Sequence, residues 1–144
     1  MVLAGVLVPT ENGPVGHSDG DVVLHAVIDS ILGAAALGDI GTMFPDTDPN
    51  LKGIASGKML KAAIDRVRNQ GWGVMNLDVT VILERPKVSP FIAAMREAIA
   101  DTLGVESGAV SVKAKSNEGL GEIGRGEAVA CHAVVLLETA GRAI

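Results

Sequence analysis

Two phenylalanines, one tryptophan and no tyrosine are the only aromatic side chains in this chain of 144 residues, although 48% of it is apolar. Any core must therefore be assembled from Val, Ile, Leu, Ala and Met. A chain of this length buries roughly 68–70% of its unfolded surface. That suffices for one self-supporting domain over residues 1–144 without a disulfide.

The same scarcity narrows function. Phe44, Trp72 and Phe91 are too few to make a stacking platform for single-stranded nucleic acid. A net charge of -5 opposes binding to a phosphate backbone. Cys131 is the one cysteine, which suits a reducing compartment. The first residues carry no basic flank of a secretory signal, and no apolar run is long enough to span a bilayer. The expectation is a cytoplasmic protein with no nucleic-acid or membrane partner.

Periodicity changes several times along the chain. Residues 2–8 are apolar and closed by Pro9, which predicts a buried strand. Residues 21–37 are apolar on nearly every face, as in a helix packed on several sides. A stretch rich in breakers and carboxylates follows, then an amphipathic helix over 58–69 with Leu60, Ile64 and Val67 on its inner side. Residues 77–83 alternate as a strand. Ser89-Pro90 reads as the cap and first turn of a third helix, with Ile92, Met95, Ile99 and Leu103 inward. Val110, Val112 and Ala114 alternate again, and a final strand covers 128–137 beyond a Gly-rich segment. The order β-α-α-β-α-β-β predicts an α/β (α+β) sandwich, helices on one face of a sheet.

Four clusters carry polar chemistry. His17-Ser18-Asp19-Gly20-Asp21 precedes a helix and could hold a phosphate, although an ordinary Asx or Ser cap is the commoner use of such residues. Asp21, His25 and Asp29 share one helical stripe. His25 is either a zinc ligand oriented by a carboxylate or a core histidine satisfied by Asp29. Asp39, Asp46 and Asp48 surround Phe44 in the breaker-rich stretch, as polyol or Mg²⁺ contacts or as solvated turn residues. Lys87 closes Glu84-Arg85-Pro86-Lys87 as a point charge for phosphate. Lys113 and Lys115, Ser116, the glycine N–H groups and Glu118 suggest a phosphate cradle with a cation, in a segment that has no Walker A spacing. Together they point to a phosphorylated small molecule with a divalent metal.

Read in order, HSDGD from His17, Leu24-His25-Ala26, LGAAALGDIG ending at Gly41, FPDTDP from Phe44, Arg85-Pro86-Lys87 and Gly124-Arg125-Gly126-Glu127 resemble one family. It is the 2-C-methyl-D-erythritol 2,4-cyclodiphosphate synthases of non-mevalonate isoprenoid (terpenoid) biosynthesis. The resemblance implies a lyase that is a homotrimer, with a mixed sheet of four or more strands turned toward the trimer axis and active sites between subunits. Its substrate would be 4-diphosphocytidyl-2-C-methyl-D-erythritol 2-phosphate, cyclised with loss of CMP. Zinc or another divalent metal and Mg²⁺ or Mn²⁺ would be the cofactors. By position, His25 matches a zinc ligand and Glu118 the carboxylate on the second cation. His17 and Ser116 match the two transition-state stabilisers, and His17 and Ser18 the residues at the methylerythritol phosphate. Asp39, Ile40, Gly41, Phe44 and Asp46 match the loop around the methylerythritol. Lys87, Lys115 and Asn117 fall in the cytidine-diphosphate pocket, and Arg125 matches an arginine near that end.

The sequence departs from the family at three places. No Asp-x-His, the source of two further zinc ligands, stands before His17, and the expectation is that such a strand lies upstream of Met1. Ser116 replaces a threonine and keeps the hydroxyl. Glu122 stands where some members carry a phenylalanine near the trimer axis, which puts an apolar axial cavity for an isoprenoid in question. Two rival readings stand beside the enzyme: a zinc-deficient, catalytically weak trimer that binds cytidine diphosphate, and a structural partner of neighbouring enzymes.

Overall fold

Asp21 begins the first long helix and also closes the first turn of the chain. The computed structural model describes residues 1–11 and 19–141. Within it, β1 (Val2–Leu3) and β2 (Val6–Leu7) form an antiparallel ribbon. Ala4 and Gly5 turn the chain between them with φ of 53° and 74°, and the Asp21 carboxylate accepts both of their N–H groups at 2.9 and 2.7 Å. The expected single strand over 2–8 therefore folds back on itself, because a buried carboxylate captures the turn.

The same carboxylate caps α1 (Val22–Ala34) by accepting from Leu24 N at 3.0 Å. Val23, Leu24, Val27, Ile28, Ile31 and Leu32 are buried along it, as its all-round apolar pattern requires. It stops three residues short of the expected Leu37, since Ala36 takes φ 55° and the Leu37 N–H turns back to Leu32 O at 2.9 Å. A short helix α2 (Ile40–Met43) and a 3₁₀ turn at Pro49–Leu51 occupy the breaker-rich stretch. Helix α3 (Ser56–Asn69) buries Met59, Leu60, Ala63, Ile64 and Val67. Its outer face carries the exposed pair Lys61–Asp65 at 2.6 Å, a contact of little net worth in water.

Strand β3 (Trp72–Ile82) is longer than expected, because an irregularity between Val74 and Asn76 puts its first half out of phase with the alternation that marks 77–83. Ser89 does not cap a helix. It opens a 3₁₀ turn, Ser89–Phe91, and α4 (Ile92–Leu103) follows, ending on Gly104 at φ 63°. Strand β4 (Val110–Lys115), the short α5 (Gly121–Gly124) and β5 (Ala130–Thr139) complete the chain. The order β4-β3-β5 is mixed: β3 and β4 are parallel, β3 and β5 antiparallel.

Among the described residues this sheet has three strands rather than four or more, since the 2–8 ribbon pairs only with itself. Its inner face, including Leu77, Val79, Val81, Val110 and Val112, is buried with the apolar sides of α1, α3 and α4. The helices thus lie on one face, as expected. The other face carries Val134 and Leu136, exposed by 71% and 54%. No described helix is long and apolar enough to cross a membrane.

Candidate functional site

The carboxylates of the first cluster serve the backbone. Asp21 is fully buried, and burial pushes its carboxyl above the usual range against the hydrogen bonds from Leu24, Gly5 and Ala4 that pull it down. Asp19 reaches across to the start of α3, accepting the Ser56 N–H at 3.0 Å and the Ser56 hydroxyl at 2.5 Å. Desolvation raises its carboxyl, but the Ser56 bonds, the Asp21 N–H and the charge of His25 together hold it below the ordinary value. His17 and Ser18 lie outside the described residues.

His25 does not meet Asp29, the carboxylate suggested for it. Its Nε2 lies 3.0 Å from Ser56 Oγ. Asp29, one turn on, accepts from Ile40 N at 2.8 Å, which fastens the start of α2 to α1. Asp39 then caps α2 through Thr42 N at 2.7 Å, and these Thr42 hydrogen bonds lower its carboxyl. Ile40 and Gly41 lie in α2, Phe44 closes it half-buried against the core, and Asp46 is exposed just beyond. The His25 stripe and the 39–46 segment are one continuous surface.

The other two clusters are joined in the same way. Lys115 O accepts from Leu83 N at 2.9 Å, and Glu84 Oε2 accepts from Asn117 N at 3.1 Å. Arg85 Nη2 donates to Arg125 O at 2.7 Å. These bonds bring together the end of β3, the exit of β4 with Ser116 and Glu118, and Arg125 after α5. Lys87 follows two residues beyond Arg85, and Lys87, Ser116, Glu118 and Arg125 are all exposed. Ser116 Oγ donates to Glu118 Oε1 at 3.2 Å, and Glu118 sits at φ 51°, a left-handed position that few non-glycine residues adopt. Gly124 packs so closely on the backbone of Gly119 that a Cβ there would overlap it. Arg125 is also paired with Glu127 at 3.0 Å.

A cavity of about 460 Å³ lies between the start of α1 and this loop, lined in part by Glu11, Val22, Arg85, Pro86 and Glu127. Arg85, Pro86 and Glu127 come from the segments singled out in the sequence, and among the described residues Lys87, Ser116, Glu118 and Arg125 do not line it. Sequence reasoning placed Asp19, Glu84 and Arg85 in candidate clusters but passed over Ser56. Ser56 at the first turn of a helix was a local signal. Its pairing with Asp19, 37 residues away, had none.

The donor sets decide which metals suit the chain. Among the described residues no three His, Cys, Asp or Glu side chains lie close enough to hold one ion, and catalytic zinc normally takes three protein ligands. His25 by itself does not fit zinc. Mg²⁺ is ordinarily held by one or two carboxylates together with substrate phosphates, and the exposed Glu118 beside Ser116 fits that pattern.

An α/β sandwich with a lysine, a hydroxyl and a carboxylate at Lys115, Ser116 and Glu118, ahead of a glycine-rich loop, is the framework of a protein that handles phosphorylated small molecules. The chain belongs to the YgbB family, whose profile matches residues 1–138. It is 53% identical over 137 residues to the 2-C-methyl-D-erythritol 2,4-cyclodiphosphate synthase of Trichlorobacter lovleyi, spanning 95% of this chain and 87% of that one. Its fold is similar to the bifunctional IspDF of Campylobacter jejuni, with TM-score 0.93 and 44% identity, over 96% of this chain and 38% of that longer one. It is also similar to IspF of Plasmodium falciparum in a CDP complex, with TM-score 0.82 and 34% identity, over 98% and 85% of the two chains.

Proposed function

We propose that the chain catalyses a cyclising phosphoryl transfer, converting 4-diphosphocytidyl-2-C-methyl-D-erythritol 2-phosphate to 2-C-methyl-D-erythritol 2,4-cyclodiphosphate and CMP. The observation that carries this is 53% identity to a synthase of that name along 95% of the chain. An oxygen of the 2-phosphate forms a bond to the β-phosphorus, and the bond from that phosphorus to the bridging oxygen breaks. CMP leaves with the electron pair.

Lys87 places a positive charge where the diphosphate lies, and the Lys115 to Glu118 stretch supplies backbone N–H groups and the Ser116 hydroxyl. Glu118 would hold Mg²⁺ or Mn²⁺, which supplies charge neutralisation at the phosphate oxygens when bound. His17 and Ser18 are assigned to the methylerythritol phosphate, with Asp46 accepting from its hydroxyls. Asp39, Ile40, Gly41 and Phe44 shape that end of the site. Mixing the purified chain with the substrate and Mg²⁺ tests the proposal, with CMP release as the expected result. No CMP at any enzyme concentration would overturn it.

The working form is a homotrimer. Its support is that both groups of site residues are open on one chain, whereas a ligand of this size is normally buried over most of its surface. A second copy closes such a site, and the apolar outer face of the sheet supplies a contact near the axis. A second reading, a CDP-binding trimer with weak turnover, is favoured by the single imidazole at the zinc position. The same assay separates the two, because that trimer binds CDP and releases little CMP.

A further inference from the structure

Ser56 is fully buried at the first turn of α3, and it stands between a carboxylate and an imidazole. Its one hydroxyl proton goes to Asp19 Oδ1, at 2.5 Å, and its own N–H goes to Asp19 Oδ2. An ionised carboxylate only accepts, so the proton on this contact belongs to the serine. Toward His25 the Ser56 oxygen has only a lone pair to offer, and Nε2 lies 3.0 Å from it. Nε2 must then carry hydrogen. A neutral imidazole holds one proton, which leaves the lone pair on Nδ1.

We infer that Ser56 is a positioning residue for His25, an Asp19–Ser56 relay that fixes the ring as the Nε2–H tautomer. The relay deepens the proposed function and rests on His25 belonging to that site. A carboxylate bonded directly to the imidazole would do this more simply. Here Asp21 and Asp29, the two carboxylates on the same stripe, are committed to backbone N–H groups, and the task falls to a residue from another helix. Asp19 also fills the place of a side-chain cap at α3, whose capping residue Ala55 makes none. One pair of bonds therefore sets both the start of α3 and the ring.

The test is the tautomer itself, read from long-range ¹H–¹⁵N correlations of the full chain at a pH where the ring is neutral. The His25 signals are assigned by their loss in His25→Gln. Protonated Nε2 and unprotonated Nδ1 are expected in the parent protein, and a Nδ1–H ring would overturn the inference. Ser56→Ala should shift the ring toward a mixture of tautomers, and Ser56→Thr, which keeps the hydroxyl, should restore the parent pattern. A folded Ser56→Ala protein with an unchanged tautomer would equally overturn it. Should the alanine variant not fold, the parent spectrum and Ser56→Thr still decide. CMP release without the expected tautomer sinks the relay alone, and the expected tautomer without CMP release sinks the enzymatic reading alone.

Discussion

Asp21 illustrates how much one side chain of a recognisable motif can owe to structure. It accepts from Ala4, Gly5 and Leu24 in a site with no exposure, so Asp21→Ala leaves three donors without their acceptor. The expected loss is about 2–4 kcal/mol by urea denaturation. Its raised carboxyl has a definite sign: between the unfolded value of 3.8 and the higher folded value, the native state binds more protons than the unfolded one. This group's contribution to stability therefore falls as pH rises through that window. Asp21→Asn removes that contribution, and stability of the variant should climb more steeply with pH just above 3.8 than in the parent. Lys87 is a residue of the other kind, exposed, and the role proposed for it is ligand binding. Lys87→Ala should weaken CDP at least tenfold by calorimetry, a loss of about 1.4 kcal/mol, whereas Lys58→Ala on the exposed side of α3 should leave affinity unchanged.

At the scale of elements, the loop between β4 and β5 holds its shape by close packing of backbone on backbone. Gly124→Ala puts a methyl group against Gly119 and must push the 116–119 segment outward. Overpacking of this kind costs about 1–3 kcal/mol. Because the loop lies outside the aliphatic core, the change should reduce CDP affinity far more than it lowers Tm. Parent-like affinity in a folded variant would detach that loop from the nucleotide. The helices α1, α3 and α4 were legible in the sequence because their buried residues recur at helical spacing. The strand over 77–83 was legible for the matching reason, alternation. What escaped was set by breaks in period: the irregularity at Val74 to Asn76 hid the first half of β3, and Ala36 in a left-handed conformation ended α1 early. The fold-back of residues 2–8 escaped because its cause, Asp21, lies well away along the chain.

Across the whole molecule, two apolar surfaces meet different fates. One face of the sheet is covered by helices, and the other carries Val134 and Leu136 toward solvent in a single chain. A trimer closed on that face is expected to dissociate when Val134→Lys and Leu136→Lys are combined, with light scattering reporting monomer. A trimer that survives both changes must be built on another surface. Zinc belongs at this scale too, since a site built on His25 alone would need its remaining ligands from elsewhere. Joining a strand with Asp-x-His ahead of Met1 should raise zinc retention after gel filtration, and His25→Ala in that longer protein should abolish the gain. Zinc held stoichiometrically by the 144-residue chain itself would show that the added strand is not needed.

The sequence by itself determined most of the aliphatic core and the presence of the three long helices, because periodicity and residue chemistry are local properties. It also carried the family, through motifs in a fixed order. Only the tertiary structure decided what those residues are bonded to. Asp19 goes to Ser56, Asp29 to Ile40 rather than to His25, and Asn117 to Glu84. Each of these bonds spans from 11 to 37 residues of chain. A hydrogen bond of that reach forms only after helix and sheet packing has brought its two ends within about 3 Å, and no local pattern encodes that distance.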